Sequence, residues 1–255
     1  MDGPGITVLL CLAIFVAGLV DSIAGGGGLI SLPAYLAAGL PPHAALATNK
    51  FSSTLGTLGA ALRYLGAGRI HLGSAGAAAV GALVGAAAGA RLVLLVSEGV
   101  VQLVVLLIVP AAAAVLLGRD HLLARLAPRG DIRPRVGASL ALGSAVGLYD
   151  GFFGPGTGTF LTIGFHVVLG LPLLVAAGNA RLVNLASNAG ALVVFLLQGQ
   201  VVFPLAWATA AAGVLGNQLG ASLALRKGER VVRGFLVVVL VLLLGEILRR
   251  RLAGG

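Results

Sequence analysis

Long apolar stretches alternate with short polar connections along the chain, and inside those stretches apolar and polar residues do not alternate two by two. Windows such as Ile6 to Val20, Val93 to Leu117 and Val231 to Leu248 approach or reach the roughly 20 residues that carry a helix across about 30 Å of hydrocarbon. A transmembrane β-barrel needs a two-residue period, because its strands face lipid and lumen in turn, so the pattern does not support one. It predicts an all-α polytopic membrane protein. Two places interrupt it in the same way: "DSIAGGGG" at 21–28 and "DGFFGPGTG" at 150–158 each set a carboxylate and a glycine cluster at the end of an apolar run.

The interruptions belong to a duplication. A shift of 129 residues lays Gly18-Leu19-Val20-Asp21 on Gly147-Leu148-Tyr149-Asp150, and Gly25 and Gly27 on Gly154 and Gly156. After two further residues, a shift of 131 pairs Gly39-Leu40-Pro41 with Gly170-Leu171-Pro172, Lys50 with Arg181, Gly85 and Gly89 with Gly216 and Gly220, and Glu98 with Glu229. The chain therefore divides into a first transmembrane repeat (1–118), a basic cytoplasmic linker (119–135) and a second repeat (136–255). Each repeat reads as a segment ending at the Asp, a glycine loop, a short segment and three long helices. Val136 to Tyr149 and Thr159 to Leu171 cover only about 20 Å each at 1.5 Å per residue, which predicts a re-entrant pair or a helix broken at mid-depth. Half-helices are expected to restart at Leu29 and Thr159.

Composition strengthens the membrane reading: 58% of the 255 residues are apolar and 10% charged, with mean hydropathy +1.06, against roughly 45–50% and 25% in soluble domains. The net charge of +9 resides largely in the connections, so it reads as cytoplasmic anchoring and not as a nucleic-acid surface. With the linker inside, an inverted second repeat puts eleven Lys/Arg inside and four outside, against ten and five for a parallel one. Inversion is preferred mainly because secondary transporters combine inverted repeats with interrupted helices. The apolar run before Ser22-Ile23-Ala24 resembles a signal peptide, but the leader lacks Lys and Arg and the arrangement recurs internally, so residues 1–24 are expected to be retained. Cys11 is the only cysteine, and the four scattered histidines do not make a metal site, so no metal or other cofactor is expected. No GxxxxGK[ST] loop is present to power transport by ATP hydrolysis.

A broken helix at bilayer depth frees backbone N–H and C=O groups, which must face protein or a wet cavity. The N–H groups at a restarting helix favour an anion, while close helix packing is the alternative use of the glycines. Gly81, Gly85 and Gly89 are assigned to packing alone. Lys50, Ser53 and Thr57 share one helix face by their i, i+3, i+7 spacing, and so do Arg181, Asn184 and Asn188 at the equivalent positions. A cation at helix centre costs about 2.5–3.5 kcal/mol on insertion scales and needs a reason. One is an anionic substrate, with Asn49 and Asn179 as neutral donors; the other is neutralisation within each half, Asp21 with Lys50 and Asp150 with Arg181. The two are compatible. Asp21, Asp150 or His166 are candidates for coupling to protons; Glu98 and Glu229 are assigned to capping of helix first turns, and His43, His71 and His121 to segment ends.

With these motifs in view, "GLVDSIAGGGGLISLPAYLAAGLPPHAALATNKFSSTLGTLGAALRY" and "GFFGPGTGTFLTIGFHVVLGLPLLVAAGNARLVNLASNAGALVVFLLQGQVVF" resemble the two repeats of the sulfite exporter TauE/SafE family, also called the toluene-sulfonate uptake permeases, over essentially the whole chain. The resemblance implies a multi-pass bacterial inner-membrane permease for sulfite, sulfonates and related small sulfur-containing anions, often exporting them. By match, the substrate-site candidates are Gly25, Gly26, Gly27, Gly28, Asn49 and Lys50 in the first half. In the second they are Gly154, Gly156, Thr157, Gly158, Arg181, Asn184 and Asn188. The first half departs from the pattern at Ser53 and Thr57, where the second has asparagines, so the half-sites are expected to contribute unequally. The expected partners are a small anion and the lipid bilayer, with no nucleic acid; the pattern leaves monomer and homo-oligomer open. A channel or carrier of another ion stands as the alternative function. An intramembrane enzyme pairing Ser52 or Ser187 with His166 has nothing in the sequence to bring the residues together.

Overall fold

The computed structural model describes residues 4–125 and 136–227. Among them the chain is helical throughout, with α1 (Pro4–Ala24), α2 (Gly28–Ala37), α3 (Pro42–Gly66), α4 (Leu72–Leu94) and α5 (Glu98–Arg125) from the first half. The second half supplies α6 (Val136–Phe152), α7 (Thr157–Ile163), α8 (Leu173–Leu197) and α9 (Phe203–Lys227). α1, α4, α8 and the Glu98–Val115 part of α5 are long and apolar enough to cross a membrane. α5 runs past Gly118 to Arg125, so the predicted end of the first repeat falls inside a helix. The rest of the linker, Glu229 and the apolar run 231–248 lie outside the described residues.

The helices break where the sequence places its glycines, but restart earlier than expected, at Gly28 instead of Leu29 and at Thr157 instead of Thr159. The second short segment is not one regular helix: α7 gives way to a π turn over Gly164–Val168. α2, and α7 with its π turn, are about 15 and 18 Å long at 1.5 Å per residue, half a bilayer each. Gly25 and Gly154 have φ of +85° and +98°, conformations that side-chain-bearing residues rarely adopt. The loops touch each other. A Cβ on Gly25 would stand 2.2 Å from the Gly158 carbonyl carbon, so only a bare backbone passes there.

Helix packing exchanges the two halves. α4 packs against α6 and α8, while its repeat counterpart α9 packs against α1 and α3. Small residues at every fourth position make both seams. Gly81, Gly85 and Gly89 meet the backbone or Ser144 of α6, and Gly143, Gly147 and Gly151 meet Ala78, Ala82 and Ala86 of α4. Their counterparts behave likewise: Gly216 and Gly220 lie on the carbonyls of Phe15 and Leu19. With lipid on the outside, such close backbone approach supplies the dispersion that holds membrane helices together. Two latches repeat the exchange: the His71 N–H donates to Asn179 Oδ1 at 2.8 Å, and the equivalent Val202 N–H donates to Thr48 Oγ1 at 3.2 Å.

These seams make a paired prediction. A Cβ on Gly143 would sit 1.9 Å from the Ala78 oxygen, whereas one on Gly76 meets nothing within 4 Å. Gly143→Ala should lower stability by about 1–3 kcal/mol or more through overpacking, while Gly76→Ala should be neutral or stabilising by up to about 1 kcal/mol. Thermal unfolding of the detergent-purified variants reads both.

Candidate functional site

Where the loops meet, α1, α3, α8 and α9 line a half-open cavity of about 40 Å³. At roughly 10–15 Å³ per water on this measure, it holds about three waters or one small polyatomic ion. Gly25, Gly27 and Gly28 line it from one loop, and Gly154, Thr157 and Gly158 from the other. Asn49 and Lys50 from α3 and Asn184 and Asn188 from α8 complete the predicted contributors. Three predicted members do not line the cavity: Gly26, Gly156 and Arg181. Arg181 lies behind the wall, 1% exposed, with its guanidinium against Gly158.

The charges decide the character of the site. Lys50 Nζ is 2.7 Å from Asp150 Oδ2, and Arg181 Nη1 is 3.1 Å from Asp21 Oδ2. Both pairs join one half to the other, and each maps onto the other under the repeat. Neutralisation within each half, Asp21 with Lys50 and Asp150 with Arg181, is therefore corrected. The α1–α9 and α6–α4 seams carry the end of each first helix to the opposite half, where the other cation waits. Lys50 and Asp150 are 3% and 2% exposed, so neither charge has bulk water as an alternative partner.

Hydrogen bonds finish the arrangement. Lys50 Nζ also donates to Asn188 Oδ1 at 2.9 Å, which occupies two of its three N–H groups. Asp150 accepts from Ser187 Oγ at 2.5 Å and from Thr157 Oγ1 at 2.8 Å. Asp21 accepts from the Gly27 N–H at 3.3 Å. Among the described residues Arg181 Nε has no hydrogen-bond partner. Ser53 Oγ donates to Asn49 Oδ1 at 3.4 Å, which leaves the amide N–H groups of Asn49 as donors on the cavity wall. Gly28, the first residue of α2, adds an N–H with no helical partner.

Other expectations fall elsewhere. Asn179 is fully buried at the interhelical latch and donates to Ser74 Oγ at 2.9 Å, so it is no substrate donor. His166 sits in the π turn with Nδ1 2.7 Å from the Leu171 carbonyl oxygen, off the cavity, so the site gives it no coupling role. Its repeat counterpart is Tyr35, whose hydroxyl donates to Thr209 Oγ1 at 2.8 Å and lies 3.0 Å from Ser52 Oγ. Val183 and Ala78 replace Ser52 and Thr209 in the other half, so that network has no twin. Ser187 is held by Asp150 and Ser52 by the Asn49 carbonyl, so neither forms a Ser–His pair with His166. Glu98 opens α5 as a capping carboxylate, 3.8 Å from His43. His71 is the N-cap of α4 and accepts from the Ser74 N–H. Sequence reasoning missed Ser31 and Asn217, both on the wall. Asn217 accepts from Ser22 Oγ at 2.7 Å; the amide pair Asn217-Gln218 inside an otherwise apolar helix was the available signal.

With this geometry in place, comparison with known proteins is decisive. The model of the family described as sulfite exporter TauE/SafE matches residues 10–247. The chain belongs to the TauE/SafE family. It is 36% identical over 234 residues to "Probable membrane transporter protein ORF9" of Sinorhizobium sp., covering 92% of this chain and 89% of that protein. It is 33% identical over 250 residues to "Probable membrane transporter protein YfcA" of Escherichia coli K12, covering 97% and 91%. A Haemophilus influenzae "Probable membrane transporter protein" is 32% identical over 237 residues, with 92% and 91% covered. No solved structure matches. As a TauE/SafE protein the chain is a multi-pass membrane transporter and not an enzyme.

The crossed pairing is testable by double substitution. Lys50→Met strands the Asp150 carboxylate and should cost about 3–5 kcal/mol. Adding Asp150→Asn should recover much of that loss, whereas adding Asp21→Asn should deepen it. Unfolding midpoints of the single and double variants in detergent decide the pairing.

Proposed function

We propose that this TauE/SafE protein is a secondary transporter of a small sulfur-containing oxyanion, sulfite or the sulfonate head of an organosulfonate. The two repeats, inverted relative to one another in the cell inner membrane, rock so that the site between them opens alternately to either side. The observation that carries this reading is the cavity itself: both halves wall it, both glycine loops border it, and Lys50 stands in it with one N–H unspent. A pyramidal group of three oxygens takes the room of about three waters. The Lys50 ammonium supplies a charge-assisted bond, and Asn49, Asn184 and the Gly28 N–H supply neutral donors around it. Arg181 acts from behind, holding Asp21 and the first loop in place.

Flux of labelled sulfite into proteoliposomes tests the reading. Wild type should saturate with concentration, as a carrier does and a channel does not. Losing a charge-assisted bond of about 1.5–3 kcal/mol should cut uptake by Lys50→Gln at least about tenfold, and Arg181→Ala should also impair it. Unimpaired transport by both correctly inserted variants removes the proposed site.

A further inference from the structure

Taken together with Arg181 behind its wall, the cavity carries no net charge among the described residues. Two cations, Lys50 and Arg181, are matched by two carboxylates, Asp150 and Asp21. A monoanion entering it leaves the site one charge negative in a medium that stabilises charge poorly, so a positive charge has to enter with it. Resting on the oxyanion reading, we infer that this charge is a proton, and that Asp150 holds it.

The two carboxylates differ in what surrounds them. Asp21 is bonded by obligate donors, the Gly27 N–H and the Arg181 guanidinium, which cannot accept a hydrogen bond in return. A proton on Asp21 would leave one of them facing an O–H. Apart from Lys50, Asp150 is bonded by hydroxyls, Ser187 and Thr157, which donate or accept by rotating. The Thr157 hydroxyl already has a second acceptor, the Gly154 carbonyl oxygen at 2.7 Å. Asp150 can therefore gain an O–H on Oδ1 and give it to Thr157, whose own hydrogen turns to the Gly154 carbonyl, without stranding a buried donor. Among the described residues no other ionisable side chain competes for this role. Lys50 faces it from α3, and on α8 Arg181 is engaged with Asp21 of α1. The α4 face against α6 is built of alanine and glycine, and Tyr149 on its own helix gives its hydroxyl to the Pro155 carbonyl oxygen at 2.5 Å.

The step balances simply. A proton from water on the open side bonds to an Asp150 oxygen, Lys50 stays an ammonium, and the anion replaces the carboxylate as its counter-ion. Anion and proton then travel together without net charge movement, and on the far side proton loss restores the Lys50–Asp150 pair and expels the anion.

Methanesulfonate is the suitable probe, because it stays a monoanion across the working pH range and any proton taken up belongs to the protein. Binding to the detergent-purified protein in weak buffer should take up one proton per anion. The affinity should fall about tenfold per unit rise in pH, as one-proton linkage requires. A protonated-carboxyl stretch should appear in the anion-induced infrared difference spectrum of the wild type, a readout that does not depend on any variant folding. Asp150→Asn, a fixed mimic of the protonated state, should bind without proton uptake, without that band and with pH-independent affinity. Methanesulfonate bound without proton uptake, or only with Na⁺, overturns the coupling and leaves the oxyanion site standing. Proton uptake that survives in Asp150→Asn overturns the assignment to Asp150. Failure of methanesulfonate, sulfite and thiosulfate alike to bind overturns the substrate class and this inference with it.

Discussion

Four charges, three of them buried and Asp21 nearly so, must find partners where the two broken helices meet, and the fold is arranged around the way they do so. A buried ion without a counter-ion costs several kcal/mol, and in this protein each counter-ion comes from the other repeat: Asp150 for Lys50, Asp21 for Arg181. The broken helices follow from this constraint. The ends of α1 and α6 have to bring carboxylates to mid-membrane, and their chains must then turn back in a space another backbone also occupies. Glycine at Gly25 and Gly158 is what lets two main chains cross there.

The seams that carry these ends across are built largely of small residues, with Ser22 and Asn217 joined across the α1–α9 seam. α4 on α6 and α9 on α1 meet through glycine and alanine at every fourth residue. Surfaces of that kind pack closely yet leave few knobs to disengage, which suits the proposed rocking of one half against the other. The polar contacts between halves are specific: they include the crossed ion pairs, the Lys50–Asn188, Ser22–Asn217 and Tyr35–Thr209 bonds and the latches at His71 and Val202. The cavity breaks the symmetry. Lys50 lines it while Arg181 stands behind it, and Tyr35, Ser52 and Thr209 form a network for which His166, Val183 and Ala78 offer no counterpart.

Much of this was legible in the residues. Hydropathy gave the helices, self-comparison gave the two repeats, and the spacing of Lys50, Ser53 and Thr57 placed them on a face that does line the cavity. The pairing of charges was not legible. Sequence proximity favours Asp21 with Lys50, whereas the true partners are set by which helix packs on which, and a glycine stripe such as Gly81, Gly85 and Gly89 announces a close contact without naming the other side. Arg181 was misplaced for a related reason: its helix face was right, but Asp21 and Gly158 stand between it and the cavity. Ser31 and Asn217 were missed because Ser31 lies in the short apolar segment after the glycine loop, and because Ala86 stands at the repeat position of Asn217. The earlier helix starts at Gly28 and Thr157 reflect glycine's neutrality in the first turn, where a helix end is decided by tertiary contact.

The crossed pairs also constrain the order in which the protein comes into being. Synthesis proceeds from the N-terminus, so Asp21 reaches the bilayer about 160 residues before Arg181 exists, and Lys50 waits 100 residues for Asp150. Until the second half arrives, the first has an acid and a base with no native counter-ion, and the glycine face of α4 has no α6 to meet. The nascent first half is thus an intermediate that has to be sheltered from lipid by the insertion machinery, and the protein matures as one unit when its later helices thread in.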